Sequence, residues 1–226
     1  MDWFLANTGL VAELAVQHAR LSVVPIVLGL LLALPPGVLA WRWRRGRGPL
    51  LATVGLLYTI PSLALFVLIP PVVGISFLSE LNVVIALTVY AVALMVRFVT
   101  DALDAVDPAV RSAATAMGYS AWGRFWAVDL PLAGPVLLAG LRVVAVSTVS
   151  LVTVGVLVGT RSLGYLFMDG LQRGIVAEIV TGILATVAVA LVFDVLLVLL
   201  GRVLLPWNRR PPRAGRRIQL TAGGAG

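Results

Sequence analysis

Long apolar stretches alternate with short polar ones along most of the chain. Five of them, about residues 21–41, 50–73, 80–99, 132–158 and 176–200, are each long enough to cross a bilayer as a helix, since roughly 20 apolar residues span the hydrocarbon core. The pattern predicts an all-α integral membrane protein with five transmembrane helices. Residues 1–17 read as a separate amphipathic segment lying on the outer membrane surface. Asp2, Glu13, His18 and Arg20 interrupt the apolar positions there and argue against a cleaved secretory signal. Residues 18–200 form the expected transmembrane domain. Residues 201–226, rich in Pro, Gly and Arg, are expected as a basic disordered tail.

Composition sharpens this reading by what it omits. The 226 residues are 60% hydrophobic and 12% charged, more apolar than a soluble domain of this size. All 17 basic residues are Arg; the chain has no Lys, no Cys and one His. Without Lys there is no GxxxxGK[ST] loop to cradle nucleotide phosphates, so ATP hydrolysis by this chain is not expected. Without Cys, and with His18 alone, metal centres and thiol chemistry are not expected either. No catalytic residue or cofactor is assigned.

The Arg residues also orient the spans, because short cytoplasmic loops carry the excess of positive charge. Arg42, Arg44, Arg45 and Arg47 follow span one. Arg97, Arg111, Arg124 and Arg142 surround the loop after span three, and Arg202, Arg209, Arg210, Arg213, Arg216 and Arg217 follow span five. Arg20, Arg161 and Arg173 remain for the other side. The N-terminus is therefore expected outside and the C-terminus in the cytoplasm, as an odd number of spans requires.

The loop at 101–131 departs most from the apolar pattern. Asp107 is a good N-cap and Pro108 suits the first helical position. Gly118 has the place of a helix-ending C′ glycine, and Ser120 suits the cap of a second short helix. Between the first two signals lie Ser112, Ala113, Ala114, Thr115 and Ala116, small enough for a partner's backbone to approach closely. Caps and small residues alone fit a surface helix equally well.

The spacing adds a resemblance. Ser112-Ala113-Ala114, three residues, Gly118, nine residues and Val128-Asp129-Leu130-Pro131 resemble the EAA loop of ABC-transporter permease subunits. The departure is Ser112 where that pattern has Glu; Asp104 and Asp107 are the nearby carboxylates available to substitute. The run Tyr58-Thr59-Ile60-Pro61-Ser62-Leu63-Ala64-Leu65-Phe66 resembles the permeases for glycine betaine, carnitine and choline, and Ala139-Gly140-Leu141-Arg142 fits the same group. A Leu-Pro-x-Leu-Arg-Asn run of that group is reduced to Arg97 within Ala93–Phe98, and its glycine-rich segment after span four is replaced by Gly159–Gly164. The resemblance implies the ABC type I importer permease fold with a cytoplasmic coupling helix. It implies that Arg111, Ser112, Ala113, Ala114, Met117, Gly118, Tyr119, Leu130 and Pro131 form the contact with an ATPase. It implies ATP-binding cassette ATPase subunits that bind ATP and Mg, a second permease, identical or homologous, and an extracytoplasmic substrate-binding protein.

Polar residues inside spans are costly in lipid and face protein or a water-filled path. Tyr58, Thr59 and Ser62 share a helical face beside Pro61, and Ser147 and Ser150 share one in span four. These six residues are the candidate translocation pathway, with Tyr58 offering its ring to a cation and Pro61 kinking the helix; helix packing is the competing reading. Asp194 is expected to pair with Arg142, and Arg97 with Asp101 four residues on. His18 reads as a surface residue. The function expected is a permease subunit of a bacterial ABC importer for quaternary-ammonium osmoprotectants, in contact with membrane lipid and not with nucleic acid. The alternatives are a permease for another small solute such as an amino acid, or a non-transporting scaffold.

Overall fold

The computed structural model describes residues 2–209, and every regular element among them is helical. A short helix α1 (Asp2–Ala6) leads into α2 (Thr8–Arg42), a single helix of 35 residues. At 1.5 Å per residue it is about 52 Å long, more than the ~30 Å hydrocarbon core needs. The separate surface segment expected over residues 1–17 is therefore not formed: from Thr8 onward these residues belong to span one. The reason is tertiary, because Val11 and Leu14 pack against Leu163 and Leu166 from the far end of the sequence.

Span two is where the sequence pattern misled most. The stretch 50–73, expected as one helix, is two: α3 (Arg47–Thr59) and α4 (Ser62–Val73), bent by 100° at the intervening residues. Ile60 and Pro61 are extended, with ψ of 128° and 136°. Proline disfavours helical backbone in the residue before it, so the break falls at this pair. A break inside lipid is tolerated where protein takes over the freed backbone groups. Here the Tyr90 hydroxyl donates to the Ile60 carbonyl.

Helix α5 (Glu80–Asp104) is the axis of the molecule. It is followed by α6 (Pro108–Ala116), α7 (Ala121–Arg124), a π-helical turn over Phe125–Asp129 and α8 (Leu130–Val152). A 3₁₀ turn over Thr153–Val158, α9 (Gly164–Arg173) and α10 (Val176–Leu204) complete the order before a last turn at Pro206–Arg209. The span-like part of α5 is 61% buried, whereas none of that of α10 is, although α10 is the most apolar of the four span-length helices. Apolarity along the chain thus does not by itself mark which helix forms the core of this chain.

Lipid tails are as apolar as leucine, so helices in a membrane associate through close packing rather than through escape from water. Glycines allow that approach. A Cβ on Gly29 of α2 would strike Ala91 of α5, and one on Gly140 of α8 would strike the Phe98 ring of α5. Among the described residues, four helices are long and apolar enough to cross a membrane, or five when the bent pair α3–α4 counts as one span.

Candidate functional site

The α6 end of the molecule is built from local signals. The Asp107 carboxylate accepts from the Ala109 N–H at 2.8 Å, and Pro108 opens the helix. At the other end Gly118 has φ +87°, its N–H donates to Thr115 O at 3.0 Å, and the Tyr119 N–H donates to Ala114 O at 3.2 Å. These are the two bonds of a Schellman ending, which needs a left-handed residue at this position. The Ser120 hydroxyl then accepts from the Gly123 N–H at 3.1 Å and starts α7.

Long-range contacts hold this capped helix to the spans. Asp129, fully buried in the π turn before α8, accepts from Arg111 Nε at 2.8 Å and lies 3.4 Å from Arg124 Nε. Arg111 also donates to the Leu103 carbonyl and lies 5.0 Å from the centre of the Trp41 ring. Arg124 donates to the Thr115 hydroxyl at 2.8 Å. One carboxylate therefore ties α6, α7 and the start of α8 together, while Arg111 connects them to α5 and α2. Asp129 and Arg124 were not singled out in the sequence. The available signal was a lone carboxylate immediately before the Leu-Pro pair.

Among the residues of α6, Ala114 alone is buried, and its small side chain faces the body. Ser112 and Ala113 are exposed, as are Val110, Met117, Tyr119 and Trp122, which present an apolar surface away from the spans. Leu130 and Pro131 form the first turn of α8 and are partly buried rather than part of this outward face. Of the two carboxylates near Ser112, Asp107 caps the helix and Asp104 is bound by Arg47, and both remain exposed.

The expected Arg97–Asp101 pair is not formed. Asp101 lies 3.7 Å from Arg47 of α3, while Arg97 is exposed and makes no ion pair among the described residues. The helical spacing permitted the pair, but Arg47 reaches the same turn from a neighbouring helix and engages Asp101 and Asp104 together. Arg142 and Asp194 do meet, in a two-pronged pair of 2.6 and 2.7 Å that joins α8 to α10. His18 is a correction too. It is fully buried, with Nε2 2.9 Å from the Val149 carbonyl, so it links α2 to α8 and is no surface residue.

At the helix break, Tyr58 packs edge-on against Tyr90, ring centres 5.6 Å apart. Tyr58, Thr59 and Pro61 are exposed and Ser62 is partly exposed, so the break opens outward from the helix pack. Ser150 is exposed on α8 and Ser147 partly buried. The arrangement combines an aromatic face, freed backbone and hydroxyls at one bend.

The family model described as "Binding-protein-dependent transport system inner membrane component" matches residues 25–210. The osmoprotectant import permease protein OsmW of Salmonella typhimurium is 32% identical, over 91% of this chain and 97% of its own length. The glycine betaine/carnitine/choline transport system permease protein OpuCB of Bacillus subtilis is 25% identical over 91% and 94%. The ergothioneine transport permease/ergothioneine binding protein EgtU of Helicobacter pylori is 36% identical over 70% of this chain and 27% of its own length. Among solved structures, the MetNI methionine ABC transporter in an inward-facing conformation superposes with a TM-score of 0.72 at 24% identity, covering 90% and 98%. That likeness speaks to the fold, which is the ABC type I importer permease fold.

Proposed function

Because the chain belongs to the binding-protein-dependent transport system inner membrane component family, we propose that it is the permease subunit of an ABC importer carrying a small quaternary-ammonium osmoprotectant. The α6 end faces the cytoplasm and the N-terminus lies outside, in keeping with the Arg distribution. An ATP-binding cassette subunit docks on the exposed face of Val110, Met117, Tyr119 and Trp122. ATP and Mg stay with that partner, since this chain lacks the Lys of a phosphate-cradling loop. A second permease completes the pathway, and an extracytoplasmic binding protein delivers the solute.

The observation that carries this reading is α6 itself. It is capped at both ends, presents an apolar face outward and is bolted to the spans through Arg111, Arg124 and Asp129. A pull on α6 is thereby passed to α2, α5 and α8 as a rigid displacement. The partner's nucleotide state shifts the inward–outward equilibrium only through contacts that differ between the two conformations, and this face is where they lie.

The solute class rests on the relatives and on the helix break. Glycine betaine, carnitine, choline and ergothioneine, named for two of these relatives, share a trimethylammonium group. Such a cation cannot donate a hydrogen bond, so it is held by aromatic faces, with Tyr58 at the bend as the candidate. The test is uptake of labelled betaine, choline, carnitine and proline into vesicles holding the full complex. Uptake of the trimethylammonium solutes, but not proline, is expected. Transport of proline alone would identify a permease for another solute, and no ATP-dependent transport at all would identify a scaffold.

A further inference from the structure

The α6 end also holds a basic cavity that the docking face does not use. It measures about 590 Å³ and is lined by Trp41, Arg42, Arg44, Arg47, Asp104 and Arg111. That volume lies within the ~300–1,000 Å³ typical of small-molecule sites. Four guanidiniums line it against one carboxylate. Two more carboxylates stand behind them, Asp101 on Arg47 and Asp129 on Arg111, with Arg124 sharing the latter. With these paired groups counted, five guanidiniums against three carboxylates leave a formal charge of +2 around the opening.

The geometry fits a phosphate. Arg42 lies 5.6 Å from the centre of the Phe125 ring and Arg111 5.0 Å from that of Trp41, so aromatic rings take up guanidinium faces and leave N–H edges to donate. Each guanidinium carries five donors. Arg111 spends donors on Asp129 and Leu103, and Arg44 makes no ion pair among the described residues. Trp41 lines the cavity with an indole ring, the residue type that settles at the headgroup level of a bilayer.

We propose that this cavity is a phosphate-type anion site that holds the headgroup of an anionic phospholipid of the inner leaflet. The orientation rests on the function proposed above. The bound phosphate bridges the end of α2 to Arg111 and so to the coupling helix, making lipid charge a second partner of α6. A soluble phosphate offers the same chemistry, and the test separates the two sources.

The experiment is retention of phosphatidylglycerol against phosphatidylcholine by the full-length chain, followed by native mass spectrometry, which needs no transport activity. Arg44→Gln, which removes a lining guanidinium, is expected to weaken retention about fivefold, the worth of one basic residue beside an anionic surface. Arg45→Gln removes the same charge from the same loop at an exposed position outside the cavity, and is expected to change retention clearly less than Arg44→Gln does. Equal effects of the two variants, or none, overturn the site and leave a diffuse basic surface. Displacement of the lipid by millimolar inorganic phosphate retains the site but overturns the lipid as its occupant. Lipid retention that is normal beside failed uptake, or the reverse, separates this proposal from the transport function.

Discussion

Asp129→Asn is the most informative single change, because it removes the charge on which α6, α7 and α8 converge while keeping the side chain's shape. Asp129 is fully buried, and the Arg111 and Arg124 side chains retain 18% and 25% exposure. Breaking a buried ion pair typically costs 3–5 kcal/mol. Both guanidiniums keep a second partner here, the Leu103 carbonyl and the Thr115 hydroxyl, and both keep some hydration. The loss is accordingly expected near 2–3 kcal/mol, below that range. The two pairs also differ: 2.8 Å is a charge-assisted hydrogen bond and 3.4 Å is at its limit. Double-mutant cycles by unfolding in mixed micelles, with Arg111→Gln and Arg124→Gln against Asp129→Asn, should give a coupling of about 1.5–2 kcal/mol for the first pair and below about 1 for the second. Equal couplings, or a larger one for Arg124, would refute the view that Arg111 is the main bolt between the coupling helix and the spans.

Three further outcomes follow from the same geometry. Nothing lies within 4 Å of a Cβ on Gly118, so Gly118→Leu meets no clash and loses only backbone energy, about 1–2 kcal/mol for leaving the left-handed region to a side chain that disfavours it. Uptake should fall with Leu and survive with Asn, which tolerates that conformation; normal uptake by an equally expressed Leu variant contradicts a coupling role. Tyr90→Phe keeps the ring beside Tyr58 but orphans the Ile60 carbonyl, at about 1–3 kcal/mol. The chain has no Cys, so a Thr59→Cys reporter labels without background; it should react faster in the Tyr90→Phe form, and an unchanged rate means the hydroxyl does not hold the break. Asp194→Leu alone should destabilise more than Asp194→Leu with Arg142→Leu, since the single change leaves an unpaired guanidinium on a membrane-spanning helix. The reverse order of melting temperatures would sink that reading.

What the sequence settled is local. Asp107, Pro108, Gly118 and Ser120 act on backbone groups within a few residues, and each forms the cap that its chemistry suggests. The apolar stretches likewise announce spans, because the cost of burying backbone polar groups in lipid is met within one helix. Pro61 was legible as a disturbance of span two, but not its size: a kink and a 100° break share that signature, and the difference lies in Tyr90, thirty residues on, taking the Ile60 carbonyl. The other long-range choices were illegible for the same reason. Asp101 had Arg97 within helical reach and took Arg47 instead, and His18 sat among polar neighbours in sequence yet against the Val149 carbonyl in space. The chain alone therefore determined which long stretches suit lipid and where the loop helices between Asp107 and Arg124 are capped. The tertiary structure decided which charges meet and where a span breaks, because a buried carboxylate or freed carbonyl is satisfied by whichever partner the packing brings near.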